Sequence, residues 1–201
     1  INIGGEGGGG GGVPGCYDEA SAATFAPGYA ETSATYLDLC TEQQLQDFFA
    51  NCLTAGGDCD TFVDNNGPCS GCILGFDDLA AAQPMFSGNV PPLVQGETLV
   101  SVTIAACESA AQNQPQCAGP LTEFLFCGQS VCEQACDLAS GEYGECQDYA
   151  LSEGFCAQTL TYPPECEAVL NTQTLSPQCD GNSFEEFFYA IGGYFCGPPP
   201  A

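Results

Sequence analysis

Residues 117–136 read CAGPLTEFLFCGQSVCEQAC. Phe124, Cys127 and Val131 recur at steps of three and four, and Ala135 and Leu138 continue them, so a single apolar stripe predicts a helix from about Pro120 to Ala139. Cys132 and Cys136 stand four apart on one face of it, which points them to different partners. Outward from this segment, Cys107, Cys117 and Cys127 are ten residues apart, and so are Cys136, Cys146, Cys156 and Cys166. Ten residues make about one short helix and its turn. The spacing reads as a stack of helical hairpins, each stapled to the next because none can hold its own core. The alternative is an accidental spacing, since the intervening sequences match poorly.

Two further helices announce their starts. Thr41 and Gln44 form a capping-box pattern, followed by one face of Leu45, Phe48, Phe49, Cys52 and Leu53 and stopped by Gly56-Gly57. Ser183 and Glu186 repeat the pattern ahead of Phe184, Phe187, Phe188, Ile191 and Phe195. Shorter helices are expected near Glu142–Ser152 and Pro164–Asn171. In residues 99–104, LVSVTI, β-branched and polar residues alternate as in a strand, although Val100, Ile104, Cys107 and Ala111 fit a helix as well. The expected fold is mainly α: short disulfide-stapled helices or helical hairpins, with at most a small β element and an extended Gly-rich arm. Three segments follow: the arm at 1–15, a disulfide-rich globular domain at 16–196 that divides, if at all, near 77–98, and a polyproline-II-like tail at 197–201.

Sixteen of the 201 residues are cysteine, an even number and a density suited to disulfides made in an oxidising compartment. Cys16, Cys40, Cys52, Cys59, Cys69, Cys72, Cys107, Cys117, Cys127, Cys132, Cys136, Cys146, Cys156, Cys166, Cys179 and Cys196 are all expected to pair, in one of on the order of two million connectivities. Only Cys69-Ser70-Gly71-Cys72 has CxxC spacing, and there is no histidine to complete a metal set with it. The start at Ile1, without Met, fits removal of a secretion signal or a sequence that begins inside a longer chain. No run of 18 apolar residues exists, so no membrane insertion is expected.

Twenty-six acidic residues face no Lys, Arg or His, a formal charge of −26. Every carboxylate must therefore be solvated, capped by backbone N–H groups, protonated or held by an external cation. Nucleic acid is excluded as a partner, because displacing phosphate counterions takes Lys or Arg. P-loops, imidazole-dependent triads and His-ligated zinc sites are excluded too. No enzymatic activity is expected.

The arm, INIGGEGGGGGGVPG, has almost no side chains to bury. Fixing fifteen such residues costs on the order of 15–30 kcal/mol, which only contact with another surface would offset. Ile1 and Ile3 alternate around Asn2, as in a strand added to a neighbour's edge. The segment reads as an assembly arm; the plainer reading is a flexible linker.

The stretches CDTFVDNNGPCSGCILGFDDLAAAQPMF, LVSVTIAACESAA and CAGPLTEFLFCGQSVCEQACDL resemble uncharacterised Cys-rich secreted or surface proteins of myxobacteria and related predatory bacteria. The likeness spans about residues 52–170 and lies in the C-x₂-C-[LI] element and the later closely spaced helical cysteines. It implies secretion and names no activity. Those proteins usually keep some basic residues, and this chain has none.

Asp58, Asp60, Asp64 and Asn65, with Asn66, crowd into one segment as a candidate Ca²⁺ site, without the EF-hand spacing or its bidentate Glu. The alternative is a polar turn closed by Asn66-Gly67-Pro68. Asp77-Asp78 and Glu185-Glu186 are adjacent carboxylate pairs, and neighbours on a helix do not face one another. Cys69 and Cys72 lack the cation that activates a redox thiolate. Phe126 or Tyr189 is expected on an outer face, against a neighbouring subunit. The functional expectation is an extracellular structural protein, a subunit of a self-assembling filament, sheath or surface layer, with copies of itself as head-to-tail partners through Ile1, Asn2 and Ile3. The alternatives are a monomeric secreted acidic module binding a cation or a surface, and a hydrolase using carboxylates alone, which would need a cleft with two carboxylates about 5–9 Å apart. No cofactor is expected beyond Ca²⁺ or another divalent cation.

Overall fold

The computed structural model describes residues 13–20, 35–54, 56–74, 94–95, 101–133, 135–137 and 141–200. The described chain is mainly helical, and the expected fold class holds. Helix α1 (Glu42–Phe48) starts at the expected box: the Thr41 hydroxyl accepts from Gln44 N–H, and the Gln44 side chain accepts from Thr41 N–H at 2.8 Å. Past Phe48 the ladder widens into a π-helical turn, Phe49–Leu53. Leu45 and Phe48 are buried, while Phe49, Cys52 and Leu53 pack at the core's edge. Gly56 follows at φ +89°, a conformation that favours a residue without Cβ.

The segment expected to be a polar turn is helical. Helix α2 (Cys59–Asn65) is capped by Asp58, whose carboxylate accepts from Thr61 N–H at 3.1 Å. Helix α3 (Gly67–Leu74) carries Pro68 in its first turn, where no backbone donor is needed. Both readings of residues 99–104 prove partly right. A two-residue strand β2 (Ser101–Val102) pairs antiparallel with β1 (Val94–Gln95), in register Val94 to Val102. Thr103 then ends the strand and α4 (Ile104–Ala111) begins.

Helix α5 (Ala118–Glu133) stops short of Ala139, so Cys136 lies beyond it, although its N–H still reaches the Cys132 carbonyl at 2.9 Å. Helices α6 (Gly141–Ser152), α7 (Phe155–Thr159), α8 (Glu167–Leu170) and α9 (Phe184–Cys196) complete the chain. Gly128 of α5 lets α6 approach closely: a Cβ there would meet Leu151 at 2.8 Å. At α9 the cap differs in detail from a capping box. Ser183 Oγ accepts from Glu186 N–H, but the Glu186 carboxylate turns back to the N–H and Nδ2–H of Asn182, at 2.7 and 2.9 Å.

All sixteen cysteines pair, joining 16–136, 40–69, 52–59, 72–196, 107–179, 117–166, 127–156 and 132–146. Cys132 and Cys136 do reach different partners. Three apolar clusters surround the bridges. In the largest, α9 lays Phe188, Ile191 and Phe195 against Phe48, Phe62 and Ile73 of α1–α3. A second holds Val131 and Ala150 where α5 meets α6, and a third holds Leu121, Phe124, Val169 and Leu170.

Without cations, helix ends are neutralised in other ways. Acidic residues occupy the first turns of α1, α2, α6, α8 and α9, where the helix dipole favours them. At the other pole of α9, residues 36–40 form a strap. The N–H groups of Tyr36, Leu37, Asp38, Leu39 and Cys40 donate to the carbonyls of Tyr194, Phe195, Gly197, Cys196 and Cys196 at 2.8–3.0 Å. Tyr36 and Asp38 take left-handed φ of 53° and 55° to aim them. Backbone amides do here what Lys or Arg side chains can do at a helix C-terminus.

Candidate functional site

The expected Ca²⁺ ligands do not converge. Asp58 is spent as the α2 cap, and Thr61 N–H holds its carboxylate below the usual range. The Asn65 side chain donates to the Thr61 carbonyl, and the Asn66 side chain links Phe62 to Gln44. Asp60 and Asp64 lie on the exposed surface of the helix. Among the described residues, no three carboxylates bring oxygens within 4.8 Å of one another.

The other candidates also resolve into structural roles. Cys69 and Cys72 are bonded to Cys40 and Cys196, not to each other, and both are buried. Glu186 caps α9, with its carboxyl held below the ordinary range chiefly by Asn182 N–H. Phe126 is a core residue at 6 % exposure, because α5 is buried on most of its circumference. Tyr189 is half-buried and packs on Phe49 and Phe188, its hydroxyl pushed up by desolvation and by Glu185. Asp77, Asp78, Ile1, Asn2 and Ile3 lie outside the described residues.

Two acidic residues were not anticipated in the interior. Glu108 is fully buried, and its carboxylate accepts from Ser176 N–H (2.6 Å), Ser176 Oγ–H (3.0 Å) and Gln112 Nε2–H (3.0 Å). Glu133 is buried too, and accepts from Gln129 Nε2–H at 3.0 Å. The signal for both was a Gln four residues away on a helix of small or apolar residues. Neutral donors satisfy these charges where no cation exists.

Beside Glu133 the Tyr143 hydroxyl is buried without a hydrogen-bond partner, and desolvation, then the Glu133 charge, pushes it up to about 12. A folded value above the unfolded 10.0 gives stability that is complete below pH 10 and lost as pH rises toward 12. Tyr143→Phe removes an unsatisfied buried group, so it is expected to raise the melting temperature at pH 7 by a few degrees. It should also flatten the alkaline loss. Calorimetry between pH 7 and 11 checks both, and a lower melting temperature at pH 7 contradicts the assignment.

The described residues line several surface clefts. One of about 610 Å³ lies against Cys16 and Tyr17, with Asp18, Glu142 and Glu145 around it. A groove of about 390 Å³ runs between Leu45 and Tyr189, and another of about 320 Å³ between Phe124 and Tyr162. Among the described residues, no helix is long and apolar enough to cross a membrane. The chain matches no protein-family model, no curated protein and no solved structure.

Proposed function

We propose that the chain is a structural protein working outside the cell, the subunit of a filament, sheath or surface layer, in which residues 1–15 of one copy lie on the next. The observation that carries this reading is where apolar surface is left open. Among the described residues, Val13, at 61 %, is the one large hydrophobic side chain that stays exposed, and it belongs to the arm. Among the described residues the body offers a neighbour almost nothing apolar, so Val13 of the arm is the side chain there with most apolar area to gain from contact. Eight disulfides support the extracellular setting, since such density suits an oxidising compartment.

A head-to-tail contact of this kind need not close on itself and grows into a fibre. The charge of −26 opposes it, so assembly requires salt or divalent cations to screen the bodies. With no Lys or Arg, trypsin-type proteases find no cleavage site in the finished polymer.

Deleting residues 1–15 is expected to abolish polymers in salt while leaving the circular dichroism and melting temperature of the monomer near those of the full chain. Negative-stain microscopy and light scattering of both forms provide the test. Polymers that persist without the arm refute the arm as the joint. A full-length chain that stays monomeric in salt and Ca²⁺ refutes the structural role and leaves the monomeric binding module.

A further inference from the structure

Two of the eight disulfides meet. The Sγ atoms of Cys16, Cys136 and Cys146 all lie within 4.8 Å of one another, although Cys16 is bonded to Cys136 and Cys146 to Cys132. Among the described residues this is the one such grouping. The four sulfurs differ in access. Cys16 is half-buried and lines the 610 Å³ cleft, Cys136 keeps 8 % of its surface, and Cys132 and Cys146 keep none. Of these four sulfurs an external thiol therefore meets Cys16 first, with two further sulfurs within 4.8 Å of it. The bridge with both cysteines half-buried, Cys52–Cys59, has no third sulfur near it.

The cleft also selects by charge. Asp18, Glu142 and Glu145 line it, and no cation exists in the chain to offset them. An incoming thiolate is itself negative and is repelled, unless its own molecule carries positive charge. We propose that Cys16 is a thiol-exchange site selective for cationic thiols, with Cys136 and Cys146 relaying the exchange to Cys132.

The electrons balance without an added oxidant. The external thiolate attacks Cys16 Sγ, forming a mixed disulfide and breaking the Cys16–Cys136 bond, whose electron pair leaves on Cys136. The Cys136 thiolate attacks Cys146 Sγ, forming Cys136–Cys146 and breaking Cys132–Cys146. Cys132 leaves with the electron pair and takes a proton from solvent. One external thiol is consumed and one protein thiol is released. The result is a partner held covalently at the root of the arm while the body keeps a bridge between α6 and the segment after α5. The inference stands on the sulfur cluster and the cleft, whether or not the chain polymerises.

The test uses the native full chain with two small probes, cysteamine (cationic) and 2-mercaptoethanesulfonate (anionic). Each rate is divided by that thiol's rate with a small neutral disulfide, to remove intrinsic reactivity. Acid quenching, peptic digestion and mass spectrometry then locate the first adduct and the freed thiol. The expected result is a first adduct on Cys16, with the free thiol found on Cys132 as well as Cys136. The normalised cysteamine rate should be about 10-fold or more higher at low salt, an advantage that shrinks severalfold near 1 M salt. A first adduct on any other cysteine overturns the site. Equal normalised rates at low salt overturn the selectivity, and a free thiol confined to Cys136 overturns the relay.

Discussion

Replacing Cys72 and Cys196 together by alanine is expected to lower stability by about 4–5 kcal/mol, enough to unfold much of the chain at 37 °C. The bridge spans 124 residues and fastens α3 to the end of α9 inside the largest apolar cluster. In the chain-entropy account, a loop of that length restricts the unfolded state most. The Cys107–Cys179 bridge shortens the effective path, which draws the figure toward the lower end. The paired replacement of Cys52 and Cys59 is the internal control. Their separation is seven residues, and the same account gives about 2–2.5 kcal/mol. Guanidinium unfolding of both variants against the parent decides the matter. Equal losses contradict the claim that this architecture rests on its long-range bridges.

The second large effect is expected at Phe188. Its ring is fully buried, stacks on Phe48 at 5.8 Å, and touches Phe49 at 5.6 Å. Phe188→Ala opens a cavity where α9 meets both α1 and the π-helical turn. The expected cost is about 3–5 kcal/mol. Denaturant unfolding with disulfides intact measures it, and a loss below about 1 kcal/mol shows that the bridges alone hold α9 in place.

Much of the helical layout was legible because stripe and cap agreed. Thr41 with Gln44, and Leu45 with Phe48, signal the same helix from both the polar and the apolar side. Helices α2 and α3 were hidden because their sequence, GDCDTFVDNNGPCSGC, is rich in turn residues. Asp58 and Thr61 form a cap there, and Pro68 stands in a first turn, so the same residues that signal loops were serving helix starts. The C-terminal limit of α5 was missed because Ala135 and Leu138 extend the stripe past the point where Cys136 turns away to Cys16. The disulfide map was beyond reach, since pairing is set by tertiary contact. One pattern was available and overlooked. Pro115-Gln116-Cys117, Pro164-Glu165-Cys166 and Pro177-Gln178-Cys179 each form a 3₁₀ turn ending in a fully buried cysteine. Pro fixes the first φ of such a turn, and each cysteine N–H closes it on the residue three before, at 2.8–2.9 Å.

Of the candidate site, the cation argument carried furthest. With no Lys, Arg or His, carboxylates end up on backbone N–H groups and glutamines, as Asp58, Glu186, Glu108 and Glu133 show. The interior pair escaped notice because composition predicts solvated carboxylates and has no way to place one beside Ser176.

The strap at residues 36–40 bears on the order of events during synthesis. Its five amides find their acceptors only on residues 194–197, so an emerging chain holds them unanswered until those residues have left the ribosome. Cys72 waits over the same interval for Cys196, with Cys107 and Cys117 arriving before its true partner. Long-range closure of this kind is slow and exposed to mispairing. Native pairing is therefore expected to be sped by a disulfide isomerase, and the yield of native chain to follow the isomerase supply more closely than the rate of translation.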